Sequence, residues 1–518
     1  MTFGQYSWEG LLLLAGIGLL VLRRRANSKK LPLPPSPPPY FLLGNLKDLP
    51  NKFEWLGFEK ISKNLQSDIT SFSILGKTII VLNSHRAVSD LLEKRANYAD
   101  RPWIPMIHDP DLMDLGGAVS LSPYGPRWRQ LRKAIHLDMQ ESVIPRYWPS
   151  LQAEAQRLVV RLSENGGSSL VSDIRHWVAA FLLSATYGYH LPKDSPNDPL
   201  LQRMIALLEA FTNGFQSSRF LVNVFPMLKY LPEWMPGGSF HEYARQGREL
   251  GKSVRADPFN KVKREMAEGI AQPSYVSRML SEIGSKDKKD LSGGEDEDSL
   301  YYEDLIRQNA AATFGAGFDT TVASLSTFFI AMQLYPEVQS RAREEVLGVI
   351  DPSTGWPNPA DVVNLPYLRN LLRELLRWIP SLPLGLAHAA LEEDEYKGFR
   401  IPAKSIVVPN VWAITRDESV YPDPEVFNPD RFLDSTIPHE IPFGFGRRRC
   451  PGMHLANANL AIVIAYILTA FEISNALNLD GSEIKPSLIS KDDPQGRPEP
   501  KCTLRARNPS LLAELKDE

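Results

Sequence analysis

The stretch that decides the fold lies near the C-terminus and runs Phe443-Gly444-Phe445-Gly446-Arg447-Arg448-Arg449-Cys450-Pro451-Gly452. It places one cysteine among arginines and glycines, directly before an apolar stretch with helical character. A thiolate is stabilised by nearby positive charge and by the N–H groups at a helix N-terminus. Gly446 and Gly452 allow tight bends and a close approach to a flat cofactor. We therefore predict that Cys450 is a metal ligand and that Arg448 faces a carboxylate of that cofactor.

The alternative for Cys450 is a buried structural thiol, because free cysteines often pack as small apolar residues. Cys502, the only other cysteine, lies in the alternating segment 501–504, which predicts a packed strand residue. Two cysteines among 518 residues argue against a disulfide framework and indicate a reducing compartment.

A second segment, Ala316-Gly317-Phe318-Asp319-Thr320-Thr321, lies inside a helix that the sequence predicts from about residue 302 to 334. At 1.5 Å per residue this helix is about 50 Å long. A threonine hydroxyl can bond the carbonyl one turn earlier and distort a helix. An acid beside an alcohol at such a distortion is a proton-delivery pair, which makes Asp319 and Thr320 candidate catalytic residues. The alternative is a close crossing of two helices with a chance acid.

Two further pairs stand one turn apart on predicted helices. Glu374 and Arg377 can form an ion pair, which alone would be an ordinary surface contact. Trp128 and Arg132 place an indole N–H and a guanidinium on one helix face, where both can donate hydrogen bonds to carboxylates.

The spacing Phe-x-x-Gly-x-Arg-x-Cys-x-Gly around Cys450 resembles the haem-binding motif of cytochrome P450 monooxygenases of the microsomal type. The Asp319-Thr320 segment is similar to the family's oxygen-activating helix motif. Segment 427–432 matches its Phe-x-Pro-Glu-Arg-Phe pattern with Asp430 in place of Glu, so that Arg431 would complete a buried network with Glu374 and Arg377. The resemblance implies a mainly α fold with a small β region.

The resemblance also implies a cofactor, haem b, with the Cys450 thiolate as the axial ligand of its iron. The residues expected to contact the haem are Trp128, Arg132, His388, Phe443, Gly446, Arg448, Cys450 and Gly452. The family often has an arginine after the histidine, whereas this chain has Ala389.

The family's reaction inserts one oxygen atom of dioxygen into an organic substrate. NADPH-cytochrome P450 reductase is the expected electron donor, with cytochrome b5 as a second candidate. The expected docking face consists of Arg127, Arg129, Arg132, Lys133, Arg447 and Arg449. Mostly apolar segments are expected to line the pocket, which indicates a lipophilic small-molecule substrate; they are 106–122, 212–225, 314–316, 379–386 and 488–490.

The overall pattern is similar to fungal secondary-metabolite hydroxylases, and the sequence does not encode one substrate. Two other functions stay open. One is a haem-thiolate isomerase or dehydratase that needs no reductase, and the other is a non-enzymatic haem carrier or gas sensor. The Asp319-Thr320 pair favours the monooxygenase over both.

The N-terminus predicts a single-pass membrane anchor. Residues 10–22 are apolar and Arg23-Arg24-Arg25 follows, so the span must include residues 3–9 to reach about 20 residues. The positive cluster places the following domain in the cytoplasm, on the endoplasmic reticulum membrane in view of the family. A cleaved signal peptide is the alternative. We predict an anchor at 1–30, a proline-rich hinge at 31–40 and a catalytic domain at 41–518.

The remaining sequence predicts local structure, and its charge balance bears on one class of partner. Alternation predicts a hairpin of strands 69–74 and 77–82, then a helix from Ser84 to Leu92. Further strands are expected at 396–400, at 405–409 and near Cys502, and an exposed charged loop at 284–299. The 58 basic and 61 acidic residues give a formal charge of −3, which argues against nonspecific nucleic-acid binding.

Overall fold

The computed structural model describes residues 31–192, 198–216, 219–285, 295–478, 480–490, 493 and 496–517. Its α-helices are α1 Glu54–Leu65, α2 His85–Val88, α3 Pro105–His108, α4 Pro126–Met139, α5 Trp148–Asn165, α6 Leu170–Tyr187, α7 Pro199–Gly214, α8 Phe240–Ala267, α9 Tyr275–Ser285, α10 Glu295–Leu334, α11 Pro336–Leu347, α12 Pro359–Val362, α13 Pro366–Trp378, α14 Val411–Ile414, α15 Met453–Ala470 and α16 Pro509–Asp517. Its strands are β1 Ile69–Ile74, β2 Lys77–Leu82, β3 His388–Ala389, β4 Asp394–Tyr396, β5 Phe399–Ile401, β6 Ile406–Pro409, β7 Phe471–Asn475 and β8 Cys502–Ala506. The predicted mainly helical architecture with a small β region is confirmed.

The largest sheet has the strand order β1-β2-β6-β3. The predicted hairpin is confirmed, with Ile69 opposite Leu82 and a turn at Leu75 and Gly76, which both have positive φ angles. Strand β6 runs parallel to β2 and pairs on its other side with β3, where His388 lies opposite Val407. The sheet therefore carries His388 into the protein interior.

The helical stretch predicted from Ser84 to Leu92 is confirmed. Ser84 caps α2 through a bond from the Ala87 N–H, and a π-helical turn at Ser89–Glu93 continues the α-helix after Val88.

Two other local predictions were wrong in detail. The strand expected at 396–400 is a hairpin, because Lys397 and Gly398 have positive φ angles and form the turn between β4 and β5. The loop expected at 284–299 lies partly outside the described residues, and its last five residues already belong to α10.

The long helix α10 crosses the molecule and packs against α6 and α7. A Cβ on Gly317 would lie 3.0 Å from a Leu182 methyl, and one on Gly315 would lie 3.2 Å from a Leu208 methyl. These glycines therefore allow α10 to approach its neighbours closely. At 40 residues the helix begins seven residues earlier than the sequence indicates, and it is about 60 Å long.

Among the described helices, only α15 is long and apolar enough to cross a membrane, and 78% of that window is buried inside the protein. It is therefore a core helix. The predicted anchor at residues 1–30 lies outside the described residues. Part of the proline-rich segment packs against the sheet, since Ser71 donates hydrogen bonds to the carbonyls of Pro34 and Pro35.

The predicted network around Glu374 is confirmed. Arg377 bonds both carboxylate oxygens of Glu374 at 2.6 and 2.9 Å, and Arg431 Nε lies 3.1 Å from both. All three side chains are buried. The same guanidinium groups donate to carbonyls of Thr415, Pro422 and Pro424, so the network fixes the segment that leads to the Cys450 loop.

Candidate active site

The Cys450 loop folds back on itself immediately before α15. The Cys450 N–H donates to the Phe443 carbonyl at 2.8 Å, and Gly452 precedes the first turn of α15. Burial raises the pKa of the Cys450 thiol, while a bond from the Gly452 backbone and the charge of Arg132 oppose this shift. The loop thus supplies the N–H donor and the positive charge that a thiolate requires.

The tight bend predicted at Gly446 is confirmed, and the structure shows a second reason for a glycine there. Its φ is +52°, and a Cβ there would lie 2.3 Å from the Leu92 carbonyl oxygen. Gly446 does not line the cavity beside Cys450. The glycine lets the loop pack against the turn after α2, and its contact with a cofactor stays a prediction. Gly452 does line the cavity, with an ordinary φ of −91°.

Cys450 opens onto a cavity of about 280 Å³. The protein encloses its thiol, whose exposed surface borders this cavity. Apolar wall residues are Val119, Ile135, Met139, Phe181, Leu182, Ala312, Leu376, Leu382, Leu386, Leu455 and Leu460. Of the expected pocket walls, the described residues of 212–225 and 488–490 do not line this cavity.

Three arginines on the cavity wall form a cationic cluster, which consists of Arg101, Arg132 and Arg448. Arg448 donates to the carbonyls of Ala99, Val119 and Ser122, and Arg101 donates to those of Ser120, Leu386 and Ala387. Arg132 donates to the Arg449 carbonyl.

Burial lowers the pKa of Arg101 to about 9 and that of Arg448 to about 10. In the described part of the chain no carboxylate forms an ion pair with any member of the cluster. The charge of Asp100 opposes the lowering of both pKa values, but Asp100 forms no ion pair with either arginine. Buried cations that lack an ion-pair partner are costly, so the cluster is suited to an anionic ligand.

Trp128 and His388 complete this wall. The Trp128 indole N–H is buried and has no hydrogen-bond partner among the described residues, and the Arg448 guanidinium lies 4.5 Å from its ring centre. His388 Nδ1 lies 2.7 Å from the Tyr98 carbonyl oxygen, which can only accept, so this nitrogen carries the proton. Burial and the charge of Arg101 lower the pKa of His388 to about 3.

The neutral His388 ring therefore presents an unprotonated Nε2. His388 was expected to contact a cofactor carboxylate. The Nε2 atom can donate a hydrogen bond to a carboxylate only after it is protonated as well. Ala389 stands where the family often has an arginine. Arg101 brings a positive charge to the same wall, and it donates to the carbonyls of Leu386 and Ala387 directly before His388.

The opposite wall is formed by one face of α10 and carries hydroxyl groups. Thr320 lines the cavity and donates to the Ala316 carbonyl at 2.8 Å, as the motif predicts. Thr321 lines the cavity as well. Asp319 does not, because its carboxylate lies 3.2 Å from the Arg497 guanidinium and is 38% exposed. The structure brings Thr320 to the cavity of Cys450 and leaves Asp319 outside it.

Residues 34–494 match the sequence model of the family Cytochrome P450. The chain belongs to the cytochrome P450 family. A cytochrome P450 monooxygenase of Armillaria gallica is 36% identical over 503 residues, which cover 95% of this chain and 96% of the relative. Those of Rhodocybe pseudopiperita and Postia placenta are 34% and 35% identical, covering 95% and 90% of this chain and 93% and 88% of their own length. The protein is an oxidoreductase of a family with many fungal monooxygenases.

The cytochrome P450 family implies haem with cysteine ligation of the iron, and the residues present fit such a group. One thiol borders the cavity, and the cationic cluster and the unpartnered Trp128 N–H lie on its wall. A planar dicarboxylate with one metal centre needs these donors.

Sequence reasoning missed Arg101 and Ser324, whereas Ser381 lies in the expected wall segment 379–386 but was not singled out. Arg101 belongs to no motif, and its bonded partners Leu386 and Ala387 lie 285 and 286 residues away in the sequence. Ser324 stands four residues after Thr320, so helical spacing could have placed it on the same face.

Proposed function

We propose that this cytochrome P450 is a haem-thiolate monooxygenase that oxidises a lipophilic small molecule with dioxygen and electrons from NADPH, in secondary-metabolite biosynthesis. The observation that carries the proposal is one apolar cavity with the Cys450 thiol and the Thr320 hydroxyl on its walls. A carrier or sensor needs the first of these groups but has no use for a hydroxyl that can take part in proton transfer.

Cys450 would hold the iron of haem b, and the cationic cluster with Trp128 would bind its carboxylates. The haem, when bound, supplies the iron centre that activates dioxygen. Phe443 and Gly452 border the same space and would pack against the ring. A bound carboxylate would raise the pKa of His388 and favour protonation of its Nε2.

Two neighbouring residues on α10 would share the delivery of protons. Asp319 is partly exposed and can exchange protons with solvent, while Thr320 presents its hydroxyl to the cavity. The bond to the Ala316 carbonyl fixes the Thr320 hydroxyl on the wall. The remaining apolar wall excludes bulk water and binds the lipophilic substrate.

The electron donor would be NADPH-cytochrome P450 reductase, with cytochrome b5 as an additional donor. The docking face has fewer free basic residues than expected. Arg127 pairs with Asp304, and Arg449 pairs with Glu93 and Glu440. Arg132 faces the cavity. Arg129, Lys133 and Arg447 are exposed and form no ion pair with a described carboxylate. These three would contact an acidic partner.

Two exposed apolar segments support attachment to the endoplasmic reticulum membrane. Phe41 and Leu42 are 81% and 79% exposed, and Met227 and Trp234 are both 82% exposed. Both segments flank the β1–β2 hairpin. The Asn45 N–H donates to the Ser73 carbonyl, and the Lys77 ammonium group donates to the Asn223 carbonyl. Deletion of residues 1–30 should weaken but not abolish binding to lipid vesicles. If the deletion abolished vesicle binding, or left it unchanged, residues 1–30 and the two exposed segments would not share the attachment.

The test of the proposed activity is reconstitution with the reductase, NADPH, isotopically labelled dioxygen and a panel of lipophilic compounds. We expect a product that gains one labelled oxygen atom and forms only with NADPH. A rearranged or dehydrated product without NADPH would instead support the isomerase or dehydratase. Haem binding without any product across the panel would support the carrier or sensor.

A further inference from the structure

Two serines form a hydrogen-bonded pair on the cavity wall. Ser324 lies on α10 one turn after Thr320, and Ser381 lies in the loop that follows α13. Their hydroxyl oxygens are 3.1 Å apart. Ser324 is 5% exposed, so the pair belongs to the enclosed part of the site.

The protons of this pair are already used inside the protein. The Thr320 carbonyl oxygen accepts from Ser324 at 2.9 Å and lies 3.2 Å from the Ser381 hydroxyl. Ser381 thus donates either to this carbonyl or to Ser324, and in both arrangements no hydroxyl proton is left over. Each hydroxyl oxygen has two lone pairs, so the pair retains acceptor capacity and offers no donor.

The pair differs from the other hydroxyl groups of this wall because it joins two elements. Thr320 stands one turn before Ser324 and donates to the Ala316 carbonyl, and the Thr313 hydroxyl has no partner among the described residues. Thr313 lies 11 residues before Ser324, about 16 Å along the helix. The pair therefore ends a line of hydroxyl groups on α10 and places two acceptor oxygens side by side.

We propose that Ser324 and Ser381 form a substrate subsite that binds a hydrogen-bond donor, an alcohol O–H or an amine or indole N–H. A donor adds a bond without breaking one. A carbonyl or ether oxygen can bind here only if one serine turns its proton away from its present acceptor, so one hydrogen bond inside the protein is lost for the one that is gained. The inference rests on the proposed function, and it means that the substrate carries its O–H or N–H group before this oxidation.

The test compares matched ligands that differ in one polar group, borneol with camphor and indole with benzofuran. Their dissociation constants are measured by calorimetry with the haem-loaded protein, so no turnover is required. In the variant S324A/S381A we expect borneol and indole to bind about three- to tenfold more weakly, the range of one net hydrogen bond. Camphor and benzofuran should bind as they do to the unchanged protein.

Ser326→Ala provides the matched control, because Ser326 is buried on the same helix but does not line the cavity. It should change none of the four constants. Ser381→Ala alone, in the loop, should reproduce part of the loss if the double variant is unstable. Equal losses for both members of a pair, no loss for the donors, or no binding of any probe would overturn the subsite. A protein that fails in reconstitution yet shows the donor-specific loss would contradict the proposed function alone.

Discussion

Glu374 and Asp319 are both bound by arginine, and the difference in their burial separates their roles. Glu374 is fully buried and accepts hydrogen bonds from both Arg377 and Arg431. Asp319 is 38% exposed and has one arginine, Arg497, at 3.2 Å. A buried carboxylate with every oxygen satisfied fixes a structure, whereas a partly exposed one can exchange protons. The first holds the segment that leads to Cys450, and the second adjoins Thr320.

The largest expected effect comes from neutralising the buried carboxylate. Glu374→Gln leaves Arg377 and Arg431 buried without their counter-charge, so the free energy of unfolding should fall by about 3–5 kcal/mol. Chemical denaturation of the purified variant measures this loss. Asp319→Asn is the matched control and should change stability by no more than about 1 kcal/mol. Equal losses in the two variants would remove the distinction between them.

The cationic cluster extends the comparison to Arg101, a buried arginine that forms no ion pair with a described carboxylate. Arg101→Leu should weaken haem binding by about tenfold or more, since a hydrogen bond to a charged group contributes about 1.5–3 kcal/mol. Haem transfer to a scavenging apoprotein measures the rate of loss. Arg101→Lys keeps the positive charge and should retain part of the affinity. Unchanged haem loss in the leucine variant would show that Arg101 only supports the loop at 386–387.

A smaller effect is expected at Thr320, on the side of the partly exposed acid. In Thr320→Ala the hydroxyl that faces the cavity is lost, so product per NADPH should fall several-fold and hydrogen peroxide should rise. Both are measured with one turnover substrate. Thr320→Ser keeps the hydroxyl and should restore the yield. Thr321 also lines the cavity, and Thr321→Ala should change the yield less. An unchanged yield in Thr320→Ala would leave this residue a packing role.

Features that depend on neighbours in the sequence were predictable. Alternation and the Leu75-Gly76 turn located the first hairpin, and the Cys450 loop and the Glu374 pair were visible from their spacing. The structure also confirms Cys502 as a buried strand residue, and burial raises the pKa of its thiol to about 12.

The features that the sequence did not predict depend on tertiary contacts. Adjacent residues on a helix point about 100° apart, so the sequence could not tell that Thr320 would face the cavity and Asp319 would face Arg497. Gly446 was expected beside a cofactor, but the Leu92 carbonyl that requires it is more than 350 residues away. The serine pair joins α10 to a loop 57 residues later, and no spacing rule connects them.

Cys450 would bind the haem iron through its thiolate, and the absorption spectrum of the reduced carbon monoxide complex tests this most directly. We expect the strongly red-shifted Soret band in the unchanged protein and in the control variant Cys502→Ala, and its loss in Cys450→Ser. A serine variant that keeps this band, or a Cys502 variant that loses it while folded, would show that Cys450 is not the ligand.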